Sequence, residues 1–112
     1  MRVITLDELT PDEINKLRDY IEKIAVSSSL EDLYWYYLPY EILSEKQKQL
    51  NSEKGPYKIS IEIARNYIKF ELVVRADMIH NEGGGIVTIN QLIHIYQLID
   101  KMADDLNLTT CK

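Results

Sequence analysis

Two neighbouring runs of alternating apolar and polar residues, just past the middle of the sequence, most constrain the fold of this chain. A period of two is typical of β-strands that bury one face. A turn at Arg65–Asn66 places Ile61 opposite Phe70 on the apolar face. The same register places Glu62 opposite Lys69 on the polar face, so both faces agree and we predict an antiparallel hairpin. The alternating apolar residues are Ile59, Ile61, Ile63, Ile68, Phe70, Leu72 and Val74.

One face of this hairpin is apolar and the other is polar. The hairpin therefore needs helices on one side and leaves the other side to water or to a partner. Short runs rich in β-branched residues, at 2–6 and 86–87, are candidates for further strands. The sequence predicts an α+β fold: a two-layer domain with an antiparallel hairpin or three-stranded sheet and helices packed on one face.

Three helices are predicted from N-cap residues, and the first two of these caps belong to capping boxes, Thr10 with Glu13 and Ser44 with Gln47. In a capping box a Ser or Thr side chain and a Glu or Gln three residues later bond each other's backbone N–H groups. The caps and their helices are Thr10 with about residues 11–26, Ser44 with about 44–52, and Thr88 with about 89–107.

The segment between the first two of these helices has two interpretations. Ser28 and Ser29 are candidate caps of a short helix that ends before Pro39. Five residues of this segment fall on one helical face: Leu30, Leu33, Tyr34, Tyr37 and Leu38. The aromatic residues of LYWYYL favour a strand instead. We take the helix as the prediction.

Composition bounds the class of protein. A chain of 112 residues suits a single domain over residues 1–112, with residues 108–112 as a frayed tail. The net charge of −5 argues against nucleic-acid binding, which requires a basic surface. Apolar runs are too short to span a membrane, acids occur too early for a signal peptide, and the one cysteine, Cys111, cannot form an internal disulfide. We expect a cytoplasmic protein with no nucleic-acid and no membrane partner.

The sequence contains no recognisable catalytic motif. Phosphate-loop, nucleophile-elbow and dinucleotide motifs do not occur, and His80 and His94 lie outside metal-ligand spacings. We therefore expect no enzyme activity, no cofactor and no metal. The alternative is a small enzyme or ligand-binding subunit that uses Asp77, His80 and Glu82 beside a glycine run, with the histidine as an acid–base group.

The aromatic segment YWYYLPY is the least ordinary feature of the sequence. In a helix, Trp35 and Tyr36 project away from the apolar face, so we expect both to be partly exposed. Exposed Trp and Tyr are enriched at interaction hot spots. This predicts a non-catalytic, acidic protein-binding or regulatory module; the competing interpretation packs the segment as an aromatic corner of the core. The candidate contact residues are Tyr34, Trp35, Tyr36, Tyr37 and Tyr40.

The last predicted helix carries a second indication of an interface. Ile95, Leu98 and Met102 widen its apolar stripe beyond what one sheet needs. We expect these residues either in a dimer interface, which makes a structural homodimer a further alternative, or beneath the predicted helix over 30–38.

Overall fold

The computed structural model describes residues 2–77 and 82–108. This part of the chain is an α+β fold with three α-helices and a seven-stranded antiparallel sheet. A 3₁₀ turn covers Tyr40–Ile42. The strands are β1 Val3–Leu6, β2 Val26–Ser27, β3 Leu33–Tyr37, β4 Tyr57–Ile63, β5 Ile68–Glu71, β6 Val73–Ala76 and β7 Gly85–Ile86, and the helices are α1 Pro11–Ile24, α2 Glu45–Leu50 and α3 Ile89–Asp105.

The predicted hairpin is confirmed by β4 and β5. Ile61 pairs with Phe70 and Glu62 with Lys69, in the predicted register. A backbone hydrogen bond of 2.8 Å closes the turn at Arg65–Asn66. The match of apolar residues on one face and opposite charges on the other selects this register, because a slip of one residue would expose every buried side chain.

The sheet extends to both sides of this hairpin. Its order is β1-β5-β4-β3-β2, with β6 paired to β4 and β7. Leu72 separates β5 from β6: its N–H donates to the Arg2 carbonyl, and its carbonyl accepts from the Val87 N–H. The sheet is therefore larger than the predicted two or three strands.

The predicted helix over 30–38 is wrong, because this segment contains the strand β3. β3 pairs with β4 along its whole length. Its alternation buries Tyr34 and Tyr36 on one face and turns Trp35 to the other. Helical spacing and strand alternation both fit so short an apolar run, and pairing with β4 decides between them.

The three predicted caps are confirmed at Thr10, Ser44 and Thr88, and the structure adds a capping box with Gln91 at Thr88. Each cap satisfies backbone N–H groups that have no partner within the helix. Helix α1 buries Leu17 and Ile21 completely, in the same hydrophobic core as the inner face of the sheet.

The side of α3 that faces the core includes residues that were expected to lie at an additional interface. Ile95 and Met102 are fully buried and Leu98 is half-buried, so the expected dimer interface through these residues is wrong. The other expectation, that they lie beneath a second helix, is wrong too, because that segment is β3. The exposed large apolar residues of α3 are Ile89, Ile93 and Tyr96 instead.

The chain remains packed to the end of the described range. Leu108 is 2% exposed and its N–H donates to the Ala103 carbonyl. The predicted frayed tail therefore does not begin at residue 108, and residues 109–112 lie outside the described residues. Among the helices described, none is long and apolar enough to cross a membrane.

Candidate protein-binding face

The side of the sheet opposite its buried core carries the candidate site, and we call it the outer face. The inner side chains of β3, β4 and β5 share one hydrophobic core with α1 and α3. The outer side chains form rows, because residues paired across antiparallel strands point the same way. One row runs from Val3 and Glu71 to Ser60, Trp35 and Val26, and the next contains Thr5, Lys69, Glu62 and Leu33.

Trp35 lies in the middle of three strands of the outer face. Its side chain is half-buried, with Val26 beside it on β2 and Ser60 beside it on β4. The Lys58 Nζ lies 4.2 Å from the centre of the indole ring, within cation–π range. Ser60 is only 8% exposed although it points outward, so the neighbouring side chains cover the strand there. We define the Trp35 strip as Val26, Leu33, Trp35 and Tyr37.

Lys58 also connects the strip to an acid. Its Nζ is 2.8 Å from the Asp77 Oδ1, and the Tyr37 hydroxyl donates to the same oxygen at 3.2 Å. The hydrogen bond from Lys58 lowers the pKa of the Asp77 carboxyl, and burial raises the pKa of the Tyr37 hydroxyl. At neutral pH Asp77 is therefore ionised and Tyr37 is neutral, and neither group is suited to exchange a proton there.

Ion pairs balance the charge of the outer face. Besides the pair at Lys58, the Lys69 Nζ lies 3.8 Å from the Glu62 Oε2 and the Arg75 Nη2 lies 2.7 Å from the Glu71 Oε1. Such exposed pairs contribute little to stability. Their charges cancel, however, so these pairs add no net charge to the outer face, although the whole chain carries −5.

The five aromatic residues predicted as contacts occupy three different places. Trp35 and Tyr37 lie on the outer face. Tyr34 and Tyr36 are buried on the inner face, so the prediction that Tyr36 is partly exposed is wrong. Tyr40 lies in the 3₁₀ turn beyond the sheet and is 54% exposed.

Both buried tyrosines end in hydrogen bonds within the fold. The Tyr34 hydroxyl donates to the Glu22 Oε2 at 2.9 Å, and the Tyr36 Oη lies 2.7 Å from the His94 Nε2. Burial raises the pKa of both tyrosine hydroxyls. Their polar ends have partners, and these residues no longer belong to the candidate contact set.

Sequence reasoning missed three residues of the site. Val26, Leu33 and Lys58 border Trp35 only because β3 is a strand between β2 and β4. The signal that could have identified them is the aromatic composition of residues 33–37, because aromatic residues favour strands.

The alternative loop site of Asp77, His80 and Glu82 is not assembled by the described residues. His80 lies outside them. Asp77 is bound to Lys58 on the outer face, whereas the Glu82 Oε2 lies 3.6 Å from the Lys54 Nζ. A catalytic role for this loop remains a prediction.

A cleft of about 410 Å³ beside the β2–β3 loop is lined by Arg18 and residues 27–34. The Arg18 guanidinium and the Asp32 carboxylate form an ion pair in it, so these two charges compensate each other. Serine hydroxyls line the cleft, but no histidine or cysteine is among its lining residues to support nucleophilic chemistry. The cleft therefore offers no catalytic arrangement.

Comparison of the chain with protein-family models, with curated proteins and with solved structures found no match. Among the side chains of residues 2–77 and 82–108, no group of three or more His, Cys, Asp or Glu is placed to hold a metal ion. His80 and Cys111 lie outside these ranges, so the expected absence of a metal stays a prediction. A function has to be argued from the geometry of the outer face itself.

Proposed function

We propose that this protein is a non-catalytic protein-binding module whose contact surface is the outer face of the sheet, with Trp35 as its anchor. The observation that carries the proposal is a half-buried indole, contacted by Lys58 at 4.2 Å, on an outer face of otherwise mostly exposed or half-buried side chains. An apolar and aromatic centre with a polar rim is the usual anatomy of a protein–protein interface.

Trp35 is suited to anchor a partner because its side chain has little conformational freedom left to lose on binding. Its ring already lies beside Val26 and against the ammonium group of Lys58. A partner that covers the indole removes water from it and orders few new rotamers, which lowers the entropic cost of association. A central aromatic residue that is desolvated in this way typically contributes about 2 kcal/mol or more to binding.

The charge of the outer face defines the kind of partner. Since acids and bases cancel in its three ion pairs, the matching surface is a protein surface with an apolar pocket for the indole and both signs of charge around it. Nucleic acid and anionic lipid need a net positive surface and do not suit this face. Salt should therefore change the affinity only slightly.

The test compares Trp35→Ala with Tyr40→Ala, which removes an exposed aromatic residue away from the outer face. Immobilised wild type captures candidate partners from an extract of the source cells, and a captured protein is purified and titrated against all three chains by calorimetry. We expect Trp35→Ala to weaken binding at least about 30-fold. Tyr40→Ala should bind like the wild type, and circular dichroism should show that all three chains are folded.

Equal binding by Trp35→Ala and wild type would contradict the proposal, because the indole would then make no productive contact. Loss of binding in Tyr40→Ala alone would also contradict it and would move the contact surface to the 3₁₀ turn.

A further inference from the structure

The outward side of α3 carries a line of exposed residues that neither the core nor the outer face uses. Ile89, Ile93 and Tyr96 are 76%, 48% and 43% exposed, and steps of four and three residues place them on one side of the helix. Asp100, a further four residues along, continues the line and is exposed as well. We define these four residues as the α3 stripe.

Charged residues are missing from the stretch of sequence that carries the apolar part of the α3 stripe. The 17 residues from Gly83 to Ile99 contain no Asp, Glu, Lys or Arg, although 28% of the whole chain is charged. Depletion of charge together with large exposed apolar side chains is the composition of an interface core. A net charge of −5 makes two copies of the chain repel each other, and a helix segment without charged residues lowers the electrostatic cost of their approach.

The spacing of the α3 stripe is symmetric. The steps from Ile89 through Ile93 and Tyr96 to Asp100 are four, three and four residues, which read the same in both directions. In an antiparallel copy, Ile93 meets the partner's Tyr96 and Ile89 meets the partner's Asp100, and each contact occurs twice. This mutual relation is what a two-fold symmetric interface requires.

An antiparallel arrangement also matches the charges of the helix. The first turn of α3 has no acidic residue, whereas those of α1 and α2 both have one or more. Asp100 forms no ion pair with another residue of the described ranges. In the antiparallel pair the carboxylate of Asp100 lies beside the first turn of the other α3, where the backbone N–H groups carry partial positive charge.

We propose that two copies of this protein associate through the α3 stripe, with the two α3 helices antiparallel about a two-fold axis. The stripe lies on the helical layer, so the outer faces of both copies stay free, and the proposal does not depend on the proposed function. One helix from each copy makes a small contact, and we expect a dissociation constant of roughly 1–100 μM.

Sedimentation equilibrium of the full chain tests the surface. The mean mass of the wild type should rise from monomer toward dimer between about 1 and 300 μM. Ile93→Glu should weaken association at least about 30-fold, because each dimer would bury two unpaired carboxylates. Leu30→Glu is the matched control: Leu30 is 65% exposed on the β2–β3 loop, and the same kind of change there should leave association as in the wild type.

Asp100→Lys tests the electrostatic part without removing an apolar residue of the stripe. It places a cation at the positive end of the other helix and should weaken association about tenfold. Circular dichroism confirms that each variant is folded. A wild type that stays monomeric up to about 300 μM overturns the proposal, as does a dimer that Ile93→Glu leaves unchanged.

Disulfide formation tests the orientation in a Cys111→Ser background. Antiparallel helices with axes about 8–10 Å apart bring the Cα atoms of paired stripe residues within reach of a disulfide. A mixture of Ile93→Cys and Tyr96→Cys chains should form the mixed dimer faster than either chain links to itself. If two Ile93→Cys chains link to each other faster than the mixed dimer forms, the helices are parallel and the proposal is overturned.

Discussion

His94 on α3 contacts Tyr36 of β3 and so connects the last helix to the sheet. Its Nε2 lies 2.7 Å from the Tyr36 Oη, and the two rings stack with their centres 6.0 Å apart. Burial lowers the pKa of the imidazole, because the protonated ring would lose hydration in this position. The folded state therefore favours the neutral form of His94.

Acid should destabilise the protein through this histidine. The pKa of His94 is lower in the folded chain than the value of about 6.5 expected in the unfolded chain. Between these two values the unfolded chain binds more protons, so the free energy of unfolding falls as the pH falls through this window. Urea denaturation should show that the free energy of unfolding falls more between about pH 8 and pH 5 in the wild type than in His94→Gln.

All other ionisable groups are the same in both proteins, so their contributions cancel in this comparison. Equal losses in the wild type and in His94→Gln would mean that the environment of His94 does not disfavour its charged form.

At the scale of elements, the capping boxes of α2 and α3 are joined through their glutamines. The Gln91 Oε1 accepts from the Thr88 N–H at 2.9 Å, while its Nε2 donates to the Gln47 Oε1 at 2.7 Å and to a carbonyl of the 3₁₀ turn. Gln47 accepts from the Ser44 N–H and donates to the Gly83 carbonyl. Two buried amides therefore hold two helix starts, a turn and a loop together.

Gln91→Glu removes the hydrogen bond between the two glutamines but keeps the cap of α3. A glutamate can still cap α3, but it cannot donate to Gln47, and it places a charge at a side chain that is fully buried. We expect it to lower the free energy of unfolding by about 2–5 kcal/mol near neutral pH. Gln97→Glu, on the exposed side of the same helix, is the control and should change stability by less than about 0.5 kcal/mol.

Urea denaturation measures both variants. A loss below about 1 kcal/mol for Gln91→Glu would show that the amide connection is not needed to hold α2 on α3.

At the scale of the whole molecule, one hydrophobic core joins both layers. The inner residues of β3, β4 and β5 pack with buried residues of α1 and α3 in a single cluster. Trp35 is the only tryptophan of the chain, and it lies in the sheet. Its fluorescence therefore reports on the sheet, whereas far-ultraviolet circular dichroism reports mainly on the helices.

We expect both signals to follow one unfolding transition. A shared core makes neither layer stable without the other, and a domain of this size usually unfolds in a single cooperative step. The measurement is a urea titration of dilute protein with both probes. Midpoints that differ beyond error would contradict the predicted single domain and would mean that sheet and helices unfold separately.

Local patterns predicted the parts of this fold that depend on neighbours in sequence. The helix caps at Thr10, Ser44 and Thr88 bond to backbone groups three residues away, and the Ile61–Phe70 register spans one short turn. The candidate site was predicted only in part. Trp35 and Tyr34 point to different sides in a helix and in a strand alike, but only a strand points Tyr36 toward the core.

The sequence by itself determined the α+β class, the three helix starts and the hairpin register, because each rests on local spacing and capping chemistry. Only the tertiary structure decided that residues 33–37 are a strand, that Lys58 contacts Trp35, and that α3 buries Ile95 and exposes Ile93. These outcomes depend on backbone hydrogen bonds and apolar contacts between segments distant in sequence. A short apolar run satisfies two geometries equally well until a neighbouring strand supplies partners for its backbone.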